Sequence, residues 1–142
     1  MMRLILISLF FLTACPDSCN KKPEQEVFFE NLSNNQKVPS TFLIKFGVRG
    51  LEVKPAGQDI ENQNAGHHHI LIDNAAGEIP KGQIIPTTDK SIHFGQGQTE
   101  AILELSPGKR TLTMQFGDGA HRSYGKRLAS TVTVYVGPKQ NQ

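Results

Sequence analysis

The sequence predicts an all-β fold, an immunoglobulin- or fibronectin-like β-sandwich of about seven strands. Three features carry that expectation. Apolar residues alternate by twos in several segments, no stretch of the central chain longer than ten residues shows the three-and-four spacing of an amphipathic helix, and turn-forming residues separate the alternating segments. Phe42, Ile44, Phe46 and Val48 point to one side of a strand while Leu43, Lys45 and Gly47 point to the other, as the pleat requires. Ala101, Leu103 and Leu105 alternate with Ile102 and Glu104, Leu112, Met114 and Phe116 with Thr113 and Gln115, and Val132, Val134 and Val136 with Thr133 and Tyr135. These patterns place strands over 41–48, 99–105, 111–116 and 128–136. Shorter apolar runs flanked by Gly, Pro or Asn add strands near Val27, over 67–73 and near Ile84. Pro107-Gly108 and Gly117-Asp118-Gly119 supply turn chemistry. The tight corner at 106–109 is typical of such sandwiches, with an open barrel as the alternative architecture.

Residues 1–14 read as an export signal: Arg3, an apolar run from Leu4 to Leu12 broken only by Ser8 and too short to span a bilayer, then small residues. Leu12-Thr13-Ala14-Cys15 resembles the lipobox of bacterial lipoproteins, which makes Cys15 the expected lipidation site. A thioether-linked diacylglyceryl group with an amide-linked acyl chain gives the multi-chain anchorage that one acyl chain cannot. The expected location is therefore the periplasmic side of a bacterial membrane, held through the lipid. Ordinary cleavage near Ala14 is the alternative, with Cys15 and Cys19 left as free thiols or a local disulfide that would constrain little of the chain. Residues 15–25 are polar and aperiodic, a tether; residues 26–137 form one β-sandwich domain; residues 138–142 are a polar tail.

Fifteen basic and thirteen acidic residues give a formal charge of +2, and loss of Arg3 with the leader lowers it by one. Nucleic acid is not an expected partner of so balanced a chain.

The five histidines are the chemically informative residues. His67, His68 and His69 open the strand over 67–73, His93 falls in the connection after Ile84, and His121 falls in the connection after the strand over 111–116. In a sandwich whose strands alternate in direction, those three connections share one end of the molecule. On a strand, His67 and His69 share a face with Leu71 and Asp73, whereas His68 joins Ile70 and Ile72 on the other. A His-x-His pair suits chelation of one ion, and His93 or His121 would complete three or four ligands, with Asp118 as ligand or as the residue that orients one. Zinc or copper fits imidazole donors. His68 belongs with the core, and so does Met114, which sits in the inward row of its strand.

Other chemistry finds little support. No Gly-rich phosphate loop precedes a helix. Ser123 lies near His121 in the sequence, as Ser91 does near His93, but no base and orienting group accompany it, so no recognisable catalytic class is expected. Asp73, Glu100 and Asp118 read as turn caps or charge pairs rather than as a glycosidase pair. Arg122, Tyr124, Lys126 and Arg127 form a basic and aromatic patch.

The blocks Gly66-His67-His68-His69-Ile70-Leu71-Ile72-Asp73 and His93-Phe94-Gly95-Gln96-Gly97-Gln98-Thr99-Glu100, with Pro107 to Leu112 and Gly117 to His121, resemble an uncharacterised family of small exported bacterial domains, a domain of unknown function. The resemblance runs from about Val27 to Val136. It implies an exported sandwich-like domain and supplies no reaction. That family often carries histidine where Arg110 stands, so a site using that position would be altered here. Two functional expectations follow from the residues as a whole: a transition-metal site built from His67, His69, His93 and His121 with Asp118, or an envelope protein- or glycan-interaction module in which the histidines are structural.

Overall fold

The computed structural model describes residues 24–139. The expected leader at 1–14, Cys15, Cys19 and nearly all of the tether lie outside the described residues, as do 140–142 of the tail.

Nine strands are present among those residues: β1 (Glu26–Phe29), β2 (Gln36–Val38), β3 (Thr41–Arg49), β4 (Glu52–Val53), β5 (Ala65–Ile72), β6 (Ser91–Phe94), β7 (Glu100–Glu104), β8 (Gly108–Gly117) and β9 (Ala129–Val136). No α-helix occurs among them, only a 3₁₀ turn at Lys126–Leu128. One sheet has the order β1-β3-β7, and the other the order β2-β9-β8-β5-β4 with β6 also on β5. β1 pairs antiparallel with β3, β3 with β7, β5 with β8 and β8 with β9. This two-sheet partition is that of an immunoglobulin-like sandwich, with separate sheets in place of the closed ladder of a barrel.

The core lies between the sheets and comes from the alternating residues. Val27, Phe29, Phe42, Ile44, Phe46 and Leu103 from the smaller sheet meet Ile70, Leu112, Met114, Phe116, Val134 and Val136 from the larger. Met114 is fully buried opposite Ile70 on the neighbouring strand, which fixes it as a packing residue. Truncating any of the large ones to Ala would cost about 2–5 kcal/mol.

The expected strand near Ile84 is corrected. Residues 82–85 lie beside 121–123 through backbone bonds, including Ser123 N–H to Gln83 O and Ile85 N–H to His121 O, but the pairing amounts to one bridge, Ile84 with Arg122. Pro80 and Pro86 bracket the run and cannot donate to a ladder, and Gly82 turns the chain with φ 82°. The strand that does form in this part of the chain is β6. His93 therefore sits on a strand and not in a connection, a second correction. Four residues with a histidine among them give too short an alternation to register as a strand.

Candidate metal centre

β5 is buried along its whole length, on both faces. One face packs into the core: the His68 ring lies 4.9 Å from Phe46 of the smaller sheet and 4.9 Å from Phe116 of β8. The opposite face, away from the smaller sheet, carries His67, His69 and Leu71. In register, His69 stands beside His93 of β6 on one side and Gln115 of β8 on the other, and His67 stands beside Gly117. Cross-strand neighbours of the same face are the closest side-chain pairs a sheet offers, so β5 and β6 bring three imidazoles together.

The fourth ring comes from the turn after β8. Asp118 builds that turn: its Oδ1 accepts from Ala120 N–H at 2.9 Å and Arg122 N–H at 2.8 Å, and its Oδ2 accepts from Arg122 Nε at 2.7 Å. His121 N–H donates to Asp118 O, and His121 takes a left-handed φ of 64°, which a non-glycine residue adopts only when its surroundings impose it. The expected location at a loop-built end of the sandwich thus becomes the outer face of the larger sheet, with strands delivering three rings and a turn the fourth.

The distances are mutually short. Ring centroids are 4.8 Å apart for His67 and His69, 4.9 Å for His67 and His93, 4.9 Å for His67 and His121, 5.0 Å for His69 and His93, and 4.7 Å for His93 and His121. One ring nitrogen from each of His67, His69 and His93 lies within 4.8 Å of the others, so these three can hold a metal ion. His93 Nε2 and His121 Nε2 are 3.2 Å apart. Two imidazole nitrogens on one tetrahedral zinc, at bond lengths of about 2.0–2.1 Å, would be separated by ~3.3 Å.

Glycines and backbone crossings shape the pocket. A Cβ on Gly117 would lie 3.3 Å from His69 Nε2 and 2.9 Å from Ile85 Cδ1, and one on Gly95 would fall 2.1 Å from His93 Cε1. Ala56 N–H donates to Gly95 O and Gly57 N–H to Gly119 O, tying the chain before β5 across both neighbouring turns. As a result His67 and His69 are fully buried, and His93 and His121 are half-buried at the solvent side.

Burial sets the electrostatics. It pushes the His67 imidazole down to about 4, with the positive forms of His93 and His121 adding to the effect and Asp118 opposing it. The His69 imidazole falls to about 2 through burial and its four histidine neighbours, and His68 to about 3 through burial and His67. His93 is lowered too, by burial and then by His121. Among the described residues, neither ring nitrogen of His67, His68 or His69 has a hydrogen-bond partner. At pH 7 these three rings are neutral, and those of His67 and His69 have lone pairs free for a Lewis acid.

Neither His121 nor Asp118 belongs to that set of three: His121 Nε2 lies within hydrogen-bond distance of His93 Nε2, and the Asp118 carboxylate is occupied by the turn and Arg122 and shapes the loop that presents His121. Arg110 is remote from the cluster, its Nη1 donating to Asp73 Oδ2 at 2.9 Å at the far end of β5 and β8. Gly95, Gly117 and Ile85 escaped the sequence reading as site residues. The signal available was a glycine, Gly117, where the outward row of β8 calls for a side chain.

No curated protein matches the chain. Among solved structures, the PKD domain (residues 329–428) of human KIAA0319 resembles it at 14% identity, covering 91% of this chain and 96% of that one with a TM-score of 0.36. Residues 44–137 match a family described as Domain of unknown function (DUF4399). That span holds all five histidines and most of the chain, and the protein belongs to this family.

Proposed function

We propose that this protein is an exported, lipid-anchored domain that binds one transition-metal ion, zinc or copper, through His67, His69, His93 and His121. The observation that carries the reading is the approach of three ring nitrogens within 4.8 Å, with a fourth 3.2 Å from one of them. The donor set supports it as well. Imidazole suits both metals, whereas calcium and magnesium call for oxygen ligands. A buried neutral imidazole with unmet nitrogens costs about 1–3 kcal/mol for each group left unsatisfied, and a metal takes up one of those lone pairs. Export and anchoring are supported by the apolar run ending at Leu12-Thr13-Ala14-Cys15. Calorimetric titration of the tag-free protein with zinc and with copper(II) tests the reading. Dissociation constants below about 10 µM are expected, with loss of binding in His93→Ala and His121→Ala. Failure to bind either metal, or equal binding by the variants, refutes it.

A second reading, an envelope protein- or glycan-binding module, is favoured by a separate observation. Leu43 and Ile102 are paired across β3 and β7 on the outer face of the smaller sheet, 40% and 71% exposed. Pull-down of a partner in the presence of chelator, lost in Ile102→Lys, would favour this reading over the first.

A further inference from the structure

The turn that carries His121 also walls a separate cavity of about 270 Å³. The basic and aromatic patch of the sequence lines it, with Arg122, Tyr124 and Arg127 joined by Lys81, Asn62 and Gln63 from elsewhere in the chain. Backbone packing delivers Lys81. Gly125 has φ 74°, and a Cβ there would lie 3.0–3.3 Å from the Lys81 N, Cα and Cβ, so only glycine lets the two segments approach.

The lining is rich in free donors. The Tyr124 hydroxyl is occupied, donating to Ala65 O at 2.7 Å, and the Ser123 hydroxyl donates to Ile79 O while accepting from Gly125 N–H. Arg122 is partly engaged, by Asp118 and by Ile60 O, and Arg127 by Gln25. What remains is the Lys81 ammonium, the rest of both guanidinium groups, the Asn62 Nδ2 group, whose partner Oδ1 accepts from Asn64 N–H at 2.9 Å, and the Gln63 side-chain amide. Three cations face two carboxylates, Glu61 and Asp118, which leaves one positive charge in surplus.

We propose that this cavity binds a monosaccharide bearing one carboxylate, a sugar acid. The surplus charge takes the carboxylate, for which a guanidinium offers paired donors. The amides take hydroxyls, and the volume lies just below the roughly 300–1,000 Å³ of ordinary ligand pockets, enough for a single ring.

Titration of the full-length protein with glucuronate, glucose and inorganic phosphate, followed by amide chemical shifts, tests this. Excess chelator is kept present, so the outcome is independent of the histidine cluster. Glucuronate is expected to bind at millimolar concentration or tighter and to move the Gly82 and Ser123 amides, while glucose does neither. Lys81→Gln and Arg127→Gln, both at solvent-facing positions with unchanged melting, are each expected to weaken binding about ten-fold or more. The proposal is overturned by no glucuronate binding up to about 10 mM. Equal binding of glucose, phosphate binding as tightly as glucuronate, or no loss in the two variants overturns it as well.

Discussion

His68 and its two neighbours lie next to one another on β5 and end in different chemical worlds. The inward ring is clasped between Phe46 and Phe116 and contributes volume to the core. Among the described residues, the outward rings of His67 and His69 meet only each other and the rings of His93 and His121 within ring-contact distance. All three are fully buried and all are held neutral, so burial and protonation do not separate them. What separates them is whether other donors converge on the same point. The His68 ring is packing, whereas the proposed ion would be shared by the four rings that face one another, of which His67, His69 and His93 bring their nitrogens within 4.8 Å.

The sharpest break of this comparison is a pair of substitutions one residue apart. His69→Ala is expected to weaken zinc binding by about 100-fold or more, since it removes a ligand outright. His68→Leu should leave the affinity within about three-fold while keeping the fold, because an apolar side chain of similar size replaces a ring packed among Phe side chains. Calorimetry on both variants measures the contrast.

The strand alternation that made this contrast legible in the sequence also placed Phe42 to Val48, Leu112 to Phe116 and Val132 to Val136 in the core. Period-two patterning depends only on neighbouring residues and a pleat. The covering of the outer face was not legible. It comes from residues 79–86 and 55–58, which have no periodicity and are positioned by contacts such as Ile79 N–H to Gln115 Oε1 at 3.0 Å and Ser123 Oγ to Ile79 O at 2.7 Å, each spanning more than thirty residues of sequence. Such long-range bonds leave no local signature, and neither does β6, whose pairing with β5 sets His93 beside His69.

Acid gives the next effect in size. The three β5 histidines have folded values of about 4, 3 and 2 against an ordinary 6.5, so between pH 6.5 and about 4 the unfolded chain binds more protons than the folded one. Stability is greatest above pH 6.5 and falls as pH drops through that window. The metal-free protein should melt at a lower temperature at pH 5 than at pH 7, and His68→Leu should make the dependence shallower by one proton. An unchanged melting temperature across the window would mean that these rings are hydrated in solution.

Gly117→Ala probes the room left for the outward rings. Its methyl must displace Ile85 or the His69 ring. An affinity loss of about ten-fold is expected, with a smaller change in melting, read by the same titration. Arg110→His changes a position remote from the cluster. It gives up a partly exposed ion pair with Asp73, about 1 kcal/mol at most, and should leave metal affinity unchanged.

X-ray absorption at the zinc edge of the loaded protein addresses the shared ion directly. Four nitrogen scatterers at about 2.0–2.1 Å, with the outer-shell pattern of at least three imidazoles, are the predicted spectrum. A shell dominated by oxygen without imidazole scattering would contradict the account.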